Sequence, residues 1–456
     1  MKYSELNHSG YLLIAGKHTA YDLKDGYFTI HVFDKISEFE PDSFFLTSGF
    51  DGKQYLLHTP IPVDLSGVGF FPRNVKQEVD FVVKDFEIGA QYSEARFTFA
   101  ELQYFCPSTN VVKLLENDDV LFQGKSEAIR HFDVEIDGKK CEISFVVSGK
   151  GEYALANSNM RAESTILVKF EKTDDFDFLE KIYLLVDSVF AFICNRRNTT
   201  CTSMELVGSF LARRPVNGKI VEEPRRLKSE MYFIDKFRDE PESKDIAGKA
   251  IKAIPLFYHI GGLFVLMADD LSRSDADDPA NISITSIPPS VERRRLIDLQ
   301  QSLHITAAFE FYVRRYMPDM VKEEPHHSVL RNYLQEFIDN HTGKEKKLAK
   351  NLQKHVVDEP ALADKILKAY EGYKDWLPLR ECLPEERFSS DNIPDLASEA
   401  NSWRNELAHE KRSYEPNLNT VRAIRLLEHF NYAIVLRQIG CSDSEIKDLL
   451  ENILAV

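Results

Sequence analysis

Hydrophobic and polar positions follow two different periods along this chain, and the change falls near residue 177. Before it, short runs alternate every second residue and are punctuated by Asp-Gly pairs at 25–26, 51–52 and 137–138. Such a pair between alternating runs is the strongest local hairpin signal, because a tight hairpin turn needs positive φ at its central residues. Phe44-Phe45-Leu46 leads through Asp51-Gly52 to Tyr55-Leu56-Leu57, and Phe132–Ile136 leads through Asp137-Gly138 to Cys141–Val147. Glu78–Ile88 and Ala95–Phe105 alternate like strands with one buried face. Residues 1–175 are therefore expected to form a sandwich or a strongly bent antiparallel sheet.

From residue 177 the period becomes helical. Phe178, Ile182, Leu185, Val189 and Phe192 predict a helix over 177–194, and a second is expected over 245–271. Met204–Leu211 and Met231–Phe237 between them read as strands at the far edge of the sheet. Asp, Ser and Pro crowd 272–289, which predicts an exposed linker and a domain boundary. After it the pattern is all helix. Leu296, Leu299, Leu303 and Ala307 make one stripe, and further helices are expected over 326–340, 344–356, 360–376, 392–412, 417–438 and 442–454. Short polar connections favour an antiparallel bundle. The fold class is thus α+β and multidomain: a β-rich region 1–271 with two helices, a linker 272–289 and an all-α bundle 290–456.

Composition narrows this picture. At 456 residues the chain exceeds one ordinary core, and its 43% hydrophobic and 29% charged residues describe a soluble globular protein. The net charge of −16 argues against a general nucleic-acid coat. A small basic excess at Arg404, Lys411, Arg412, Arg422 and Arg425 leaves room for a local phosphate site. The six cysteines, Cys106, Cys141, Cys194, Cys201, Cys382 and Cys441, form no C-x-x-C pair and are expected reduced and mostly buried. Met1-Lys2-Tyr3-Ser4-Glu5 has no signal-peptide pattern, and the apolar run Ala253–Ala268 is short for a membrane span. A cytoplasmic protein without membrane attachment or cofactor is expected.

One helix concentrates the chemistry. Ile393, Leu396, Ala400, Trp403 and Leu407 form a clean apolar stripe, with Asn392 as N-cap and Pro394 in the first turn. On an ideal helix Asn405 and His409 both fall roughly 160° from the centre of that stripe. Arg404 lies roughly 60° from it and about 140° from His409. Arg404 and His409 therefore converge only if the helix loosens near His409 or a second copy approaches.

Arg404-Asn405-Glu406-Leu407-Ala408-His409, late in a C-terminal helical bundle, resembles the HEPN ribonuclease motif, an arginine and a histidine four to six residues apart. The β-rich first half, with its Asp-Gly hairpins and the stretch Asp80–Phe105, is similar to the N-terminal region of ApeA-type anti-phage proteins. The subtype with Tyr two residues after the His is not matched, because Lys411 stands there.

The resemblance implies a homodimer or higher oligomer whose facing protomers build one RNA-cleaving site, with a phage-derived trigger sensed or transmitted by the β-rich region. RNA carries its own 2′-OH nucleophile, so His409 would manage protons and Arg404 would hold phosphate charge. Asn405 would orient His409 or bond the phosphate. The products would be a 2′,3′-cyclic phosphate and a 5′-hydroxyl. Single-stranded loops suit such a site, and the family makes tRNA the substrate guess.

Several neighbouring residues read two ways. Lys411 and Arg412 either hold flanking phosphates or simply suit an exposed helix end. Glu310 either braces Arg404 or pairs with Arg314 one turn on. Other groups point to solvated loops or helix ends rather than sites: His326-His327, Arg293-Arg294-Arg295 and Cys194–Asn198. Gly261-Gly262 lacks phosphate-loop spacing. The competing function is a non-catalytic dimerisation or binding protein, which the negative charge favours. For a third, a sugar- or peptide-binding β-domain, the sequence offers no aromatic groove pattern.

Overall fold

A computed structural model of the chain describes residues 6–33, 40–65, 72–106, 112–114, 120–122, 126–154, 157–216, 219–237, 241–273, 282–295, 298–320, 325–355, 360–377, 392–408 and 416–454. They fall into two compact units, Met1–Phe257 with Phe264–Arg273, and Tyr258–Leu263 with Ser274–Val456.

The first unit is built on fifteen strands: β1 (His8–Ile14), β2 (Lys17–Lys24), β3 (Tyr27–Val32), β4 (Asp42–Gly49), β5 (Gln54–Val63), β6 (Arg73–Glu78), β7 (Phe81–Lys84), β8 (Gln91–Phe97), β9 (Val112–Leu114), β10 (Val120–Phe122), β11 (Ser126–Ile136), β12 (Lys139–Ala154), β13 (Asn157–Thr173), β14 (Ser203–Val216) and β15 (Lys219–Phe233). Thirteen form one antiparallel sheet in the order β11-β12-β13-β8-β14-β15-β7-β5-β4-β1-β2-β3-β6, and β9 pairs with β10 separately. One continuous antiparallel sheet is therefore the observed form.

All three Asp-Gly pairs join neighbouring strands. Asp25-Gly26 and Asp137-Gly138 hold φ of +51° and +75°, and +50° and +76°. Two successive positive φ values are the type I′ signature. Ala15-Gly16 makes the same turn between β1 and β2 (φ +47° and +78°), without the polar residue that would have advertised it.

Two expectations are corrected here. β14 and β15 lie in the middle of the sheet: β14 pairs with β8, and β15 with β7. Ala95–Phe105 is a strand only to Phe97, because Ala100–Phe105 is a helix. Its Glu101 is fully buried and bonded to Arg196 and to the backbone N–H and hydroxyl of Thr200. Tertiary bonding of one carboxylate thus outweighs an alternating pattern. Arg196 stands just past the end of helix Phe176–Cys194, as expected for Cys194–Asn198, and is wholly buried.

Helix Phe176–Cys194 is apolar nearly all round and buried accordingly. Its Tyr183 ring stacks on Phe233 with centroids 3.4 Å apart, and Phe190 meets Phe99 and Phe105 edge-on. Five cysteines are free and buried, and Cys382 lies outside the described residues. The stretch Ile254–Leu271 is long and apolar enough to cross a membrane by length and composition, and 56% of it is buried inside the protein. It is longer than the Ala253–Ala268 run suggested.

The second unit is helical: Ile282–Thr285, Val291–Arg295, Leu299–Tyr316, Pro325–Asn340, Gly343–His355, Leu362–Tyr373, Ile393–Ala408, Leu418–Gln438 and Asp443–Leu454. Together with the sheet this makes the protein α+β. Helix 418–438 is the hub, buried on almost every side and started by an Asn417/Thr420 capping box. Phe430 on it lies 5.7 Å from Phe309 and 6.4 Å from Tyr373, centroid to centroid.

Two further expectations fail. The end of the expected linker is packed: Ile282, Ser283 and Ile287 are buried, while 274–281 lie outside the described residues. The stripe of Leu299, Leu303 and Ala307 faces outward, with the leucines 54% and 42% exposed. The buried face of that helix carries Ser302, Ile305, Thr306, Phe309 and Val313 instead. Hydroxyls on the core face disguised it, because Ser302 and Thr306 satisfy themselves through backbone carbonyls of the preceding turn.

Contacts of Tyr258–Leu263 within this unit include those of Gly262 and His259. A Cβ on Gly262 would stand 3.1 Å from that of Ile439, so the glycine permits close approach. His259 Nε2 lies 3.2 Å from Glu445 Oε1. The Ser442 hydroxyl and backbone N–H, with His259, hold the Glu445 carboxyl down at about 2 from its usual 4.5. A depressed carboxyl contributes stability above its unfolded value and loses it as the pH falls towards 2. The group is well exposed, so the contribution is under about 1 kcal/mol. Acid unfolding followed by circular dichroism should show E445Q losing less stability than the parent between pH 4.5 and 2; superimposable losses would refute this.

Candidate active site

Helix Ile393–Ala408 is positioned by its apolar stripe. Ile393, Leu396, Ala400 and Trp403 are at most 2% exposed, and Leu407 is half-buried. The Trp403 indole N–H donates to Ser302 Oγ at 3.1 Å, which fixes the helix against helix 299–316. With that face inward, Arg404 and Asn405 are exposed. Helix geometry alone places them there, as the 100° step requires.

Arg404 is tethered from behind. Its Nη2 lies 3.6 Å from Glu310 Oε2, and its Nη1 lies 3.4 Å from Asn405 Oδ1. Glu310 Oε1 in turn lies 3.8 Å from Lys365 Nζ on helix Leu362–Tyr373. Three helices thus bring one carboxylate between two cations. Lys365 is 2% exposed, Glu310 21% and Arg404 45%, so charge is graded from the interior outward. A guanidinium has five donors in a planar fork. Glu310 and Asn405 lie at one edge, and the exposed remainder can meet a phosphate.

Asn405 and Glu310 accordingly both stand beside Arg404. His409, Lys411 and Arg412 lie outside the described residues, so their placement relative to Arg404 is not part of this geometry. Lys365 escaped the sequence reading. Its signal is a lysine inside the stripe Leu362, Ile366, Ala369 and Tyr373, all buried. A cation on an apolar helix face implies a buried counter-charge. His429 on the hub helix is a contrasting histidine: 3% exposed, with Nδ1 2.8 Å from Arg425 O, it belongs to the core. Among the described residues no group of three or more His, Cys, Asp or Glu could hold a metal ion.

Residues 303–445 match the family model described as Apea-like HEPN. The C-terminal region thus matches an Apea-like HEPN domain, which is consistent with an ApeA-type protein carrying that domain at its C-terminal end. No curated protein and no solved structure matches the chain. The matched region contains helices 325–340 to 418–438 and most of 299–316, hence Arg404, Asn405, Glu310 and Lys365. At the level of the family this supports a HEPN-type nuclease with an anti-phage role.

Proposed function

We propose that this protein is an intracellular anti-phage endoribonuclease that cleaves RNA, with tRNA loops as its target, and thereby aborts infection. The observation that carries the reading is Arg404: a half-exposed guanidinium, braced by Glu310 and flanked by exposed Asn405, inside the matched HEPN region. In this reading the RNA 2′-oxygen attacks phosphorus and the P–O5′ bond breaks. His409 or a water takes the 2′ proton and the leaving 5′ oxygen gains one. Arg404 holds the non-bridging oxygens, and Asn405 orients His409 or the phosphate. No metal takes part. Lys411 and Arg412 hold flanking phosphates, and two protomers face each other so that Arg404 of one meets His409 of the other. The N-terminal unit regulates the site in response to a phage-derived trigger. The net charge of −16 favours the competing reading, a HEPN-like dimerisation or binding module without catalysis.

The test is cleavage of total RNA in EDTA by the purified protein beside R404A and H409A. A finer variant addresses the brace. E310Q keeps the shape but removes the charge behind Arg404. It is expected to slow cleavage roughly 10- to 100-fold with KM little changed, because the fork loses its aim. A rate equal to the parent's would remove Glu310 from the site.

A further inference from the structure

The N-terminal unit contains a cavity of about 450 Å³ whose wall combines two chemistries. Phe44, Phe86 and Phe176 contribute aromatic rings, and Asp174, Asp175 and Asp177 contribute carboxylates. Phe176 is the centre of the aromatic set, with its centroid 6.0 Å from that of Phe44 and 6.1 Å from that of Phe86. The three rings come from β4, the turn after β7, and the first residue of helix 176–194. All three are only half-buried, although the core beneath them is closed.

Local structure accounts for one carboxylate. Asp175 caps the helix by accepting from the Phe178 N–H at 3.1 Å, and it pairs with Lys139 at 2.7 Å. Asp177 in the first turn suits the positive end of the helix. Neither Asp174 nor Asp177 has an ion-pair partner among the described residues, and both are exposed. Burial pushes the nearby Glu180 carboxyl up, and Asp80 and Asp177 add to it, so this corner is electronegative. Helix capping does not account for the half-buried phenyl rings. A complementary ligand must present apolar stem to the rings and positive charge to the rim. The aspartates come from one short stretch, 174–177, at the start of a single helix, which suits one cation on a stem better than a polycation.

We propose that this pocket binds the side chain of an arginine or lysine presented by a polypeptide partner. The methylene stem lies against Phe44, Phe86 and Phe176, and the cationic head sits between Asp174 and Asp177. Phenyl faces attract a cation within about 6 Å of the ring centroid. A single residue should bind in the millimolar range, on the order of what so small a contact supports.

The proposal is read by saturation-transfer NMR on the full chain at low salt, independently of any RNA cleavage. The probes are the acetylated and amidated tripeptides Gly-Arg-Gly and Gly-Lys-Gly, the norleucine analogue, and spermidine. Saturable binding of the Arg and Lys peptides, with no norleucine binding, is expected. The D174N/D177N double variant should lose that binding at an unchanged melting temperature. F176L, which keeps apolar bulk but removes a ring, should weaken it at least threefold. Equal binding of the norleucine peptide, undiminished binding by D174N/D177N, or saturation by spermidine alone would each overturn the assignment.

Discussion

R404A is expected to lower RNA cleavage about 10²- to 10³-fold, the usual consequence of deleting one preorganised charge donor. H409A should lower it about 10²- to 10⁴-fold, the range for a positioned acid–base group. The double variant should be little worse than the poorer single one, because residues acting as a unit are not additive. R404K separates shape from charge. It keeps the cation but loses the planar fork, so it should recover only a small part of the rate. R404A and R404K should melt like the parent, since Arg404 is 45% exposed. Gel analysis of total RNA in EDTA, with end-group analysis for cyclic phosphate, provides the readout. Where the parent is silent without its trigger, growth arrest on overexpression replaces it, and H409A should abolish the arrest. Equal cleavage by parent, R404A and H409A removes this motif as the active site. A strictly monomeric protein would remove the geometric basis, because an ideal helix holds Arg404 and His409 about 140° apart.

The second large effect concerns stability. Glu101 and Arg196 are both fully buried and pair directly across 95 residues of chain. Glu101 also accepts from the Thr200 backbone and hydroxyl, and Arg196 Nη1 donates to the Asn198 carbonyl. E101Q or R196M strands one charge in the interior and should cost about 3–5 kcal/mol. The double E101L/R196M removes both charges and should recover much of that loss. Urea midpoints at constant slope give the comparison. A single variant within about 0.5 kcal/mol of the parent would mean that the pair is solvated, contrary to its burial.

How legible each feature was depends on how local its cause is. Asp25-Gly26 and Asp137-Gly138 announced their hairpins because turn conformation is set by the two residues in the turn. Helix 176–194 and the motif helix announced themselves because one long apolar face repeats every 3.6 residues. The reading failed where a distant partner changes the value of a residue. Glu101 sits in an alternating run, yet Arg196 and Thr200 hold it in a helix. Leu299 and Leu303 look like core but face outward, because Ser302 and Thr306 pack inward with their hydroxyls satisfied. Gly262 carried no phosphate-loop meaning, and its reason is the approach of Ile439.

The candidate site divides in the same way. The sequence by itself determined that Arg404 and Asn405 leave the apolar stripe of their helix, since that follows from the 100° step. It also raised Glu310 as a brace, but favoured its pairing with Arg314, because spacing points to a neighbour one turn away and is blind to a helix ninety residues later. Only the tertiary structure decided that Glu310 stands between Arg404 and a buried Lys365. It likewise assembled Phe44, Phe86 and Phe176 around the three aspartates, an aromatic wall that no stretch of sequence contains. The physical reason is common to both: side-chain period fixes the direction of a residue from its own backbone, whereas charge pairing and cavities depend on which backbones packing brings together.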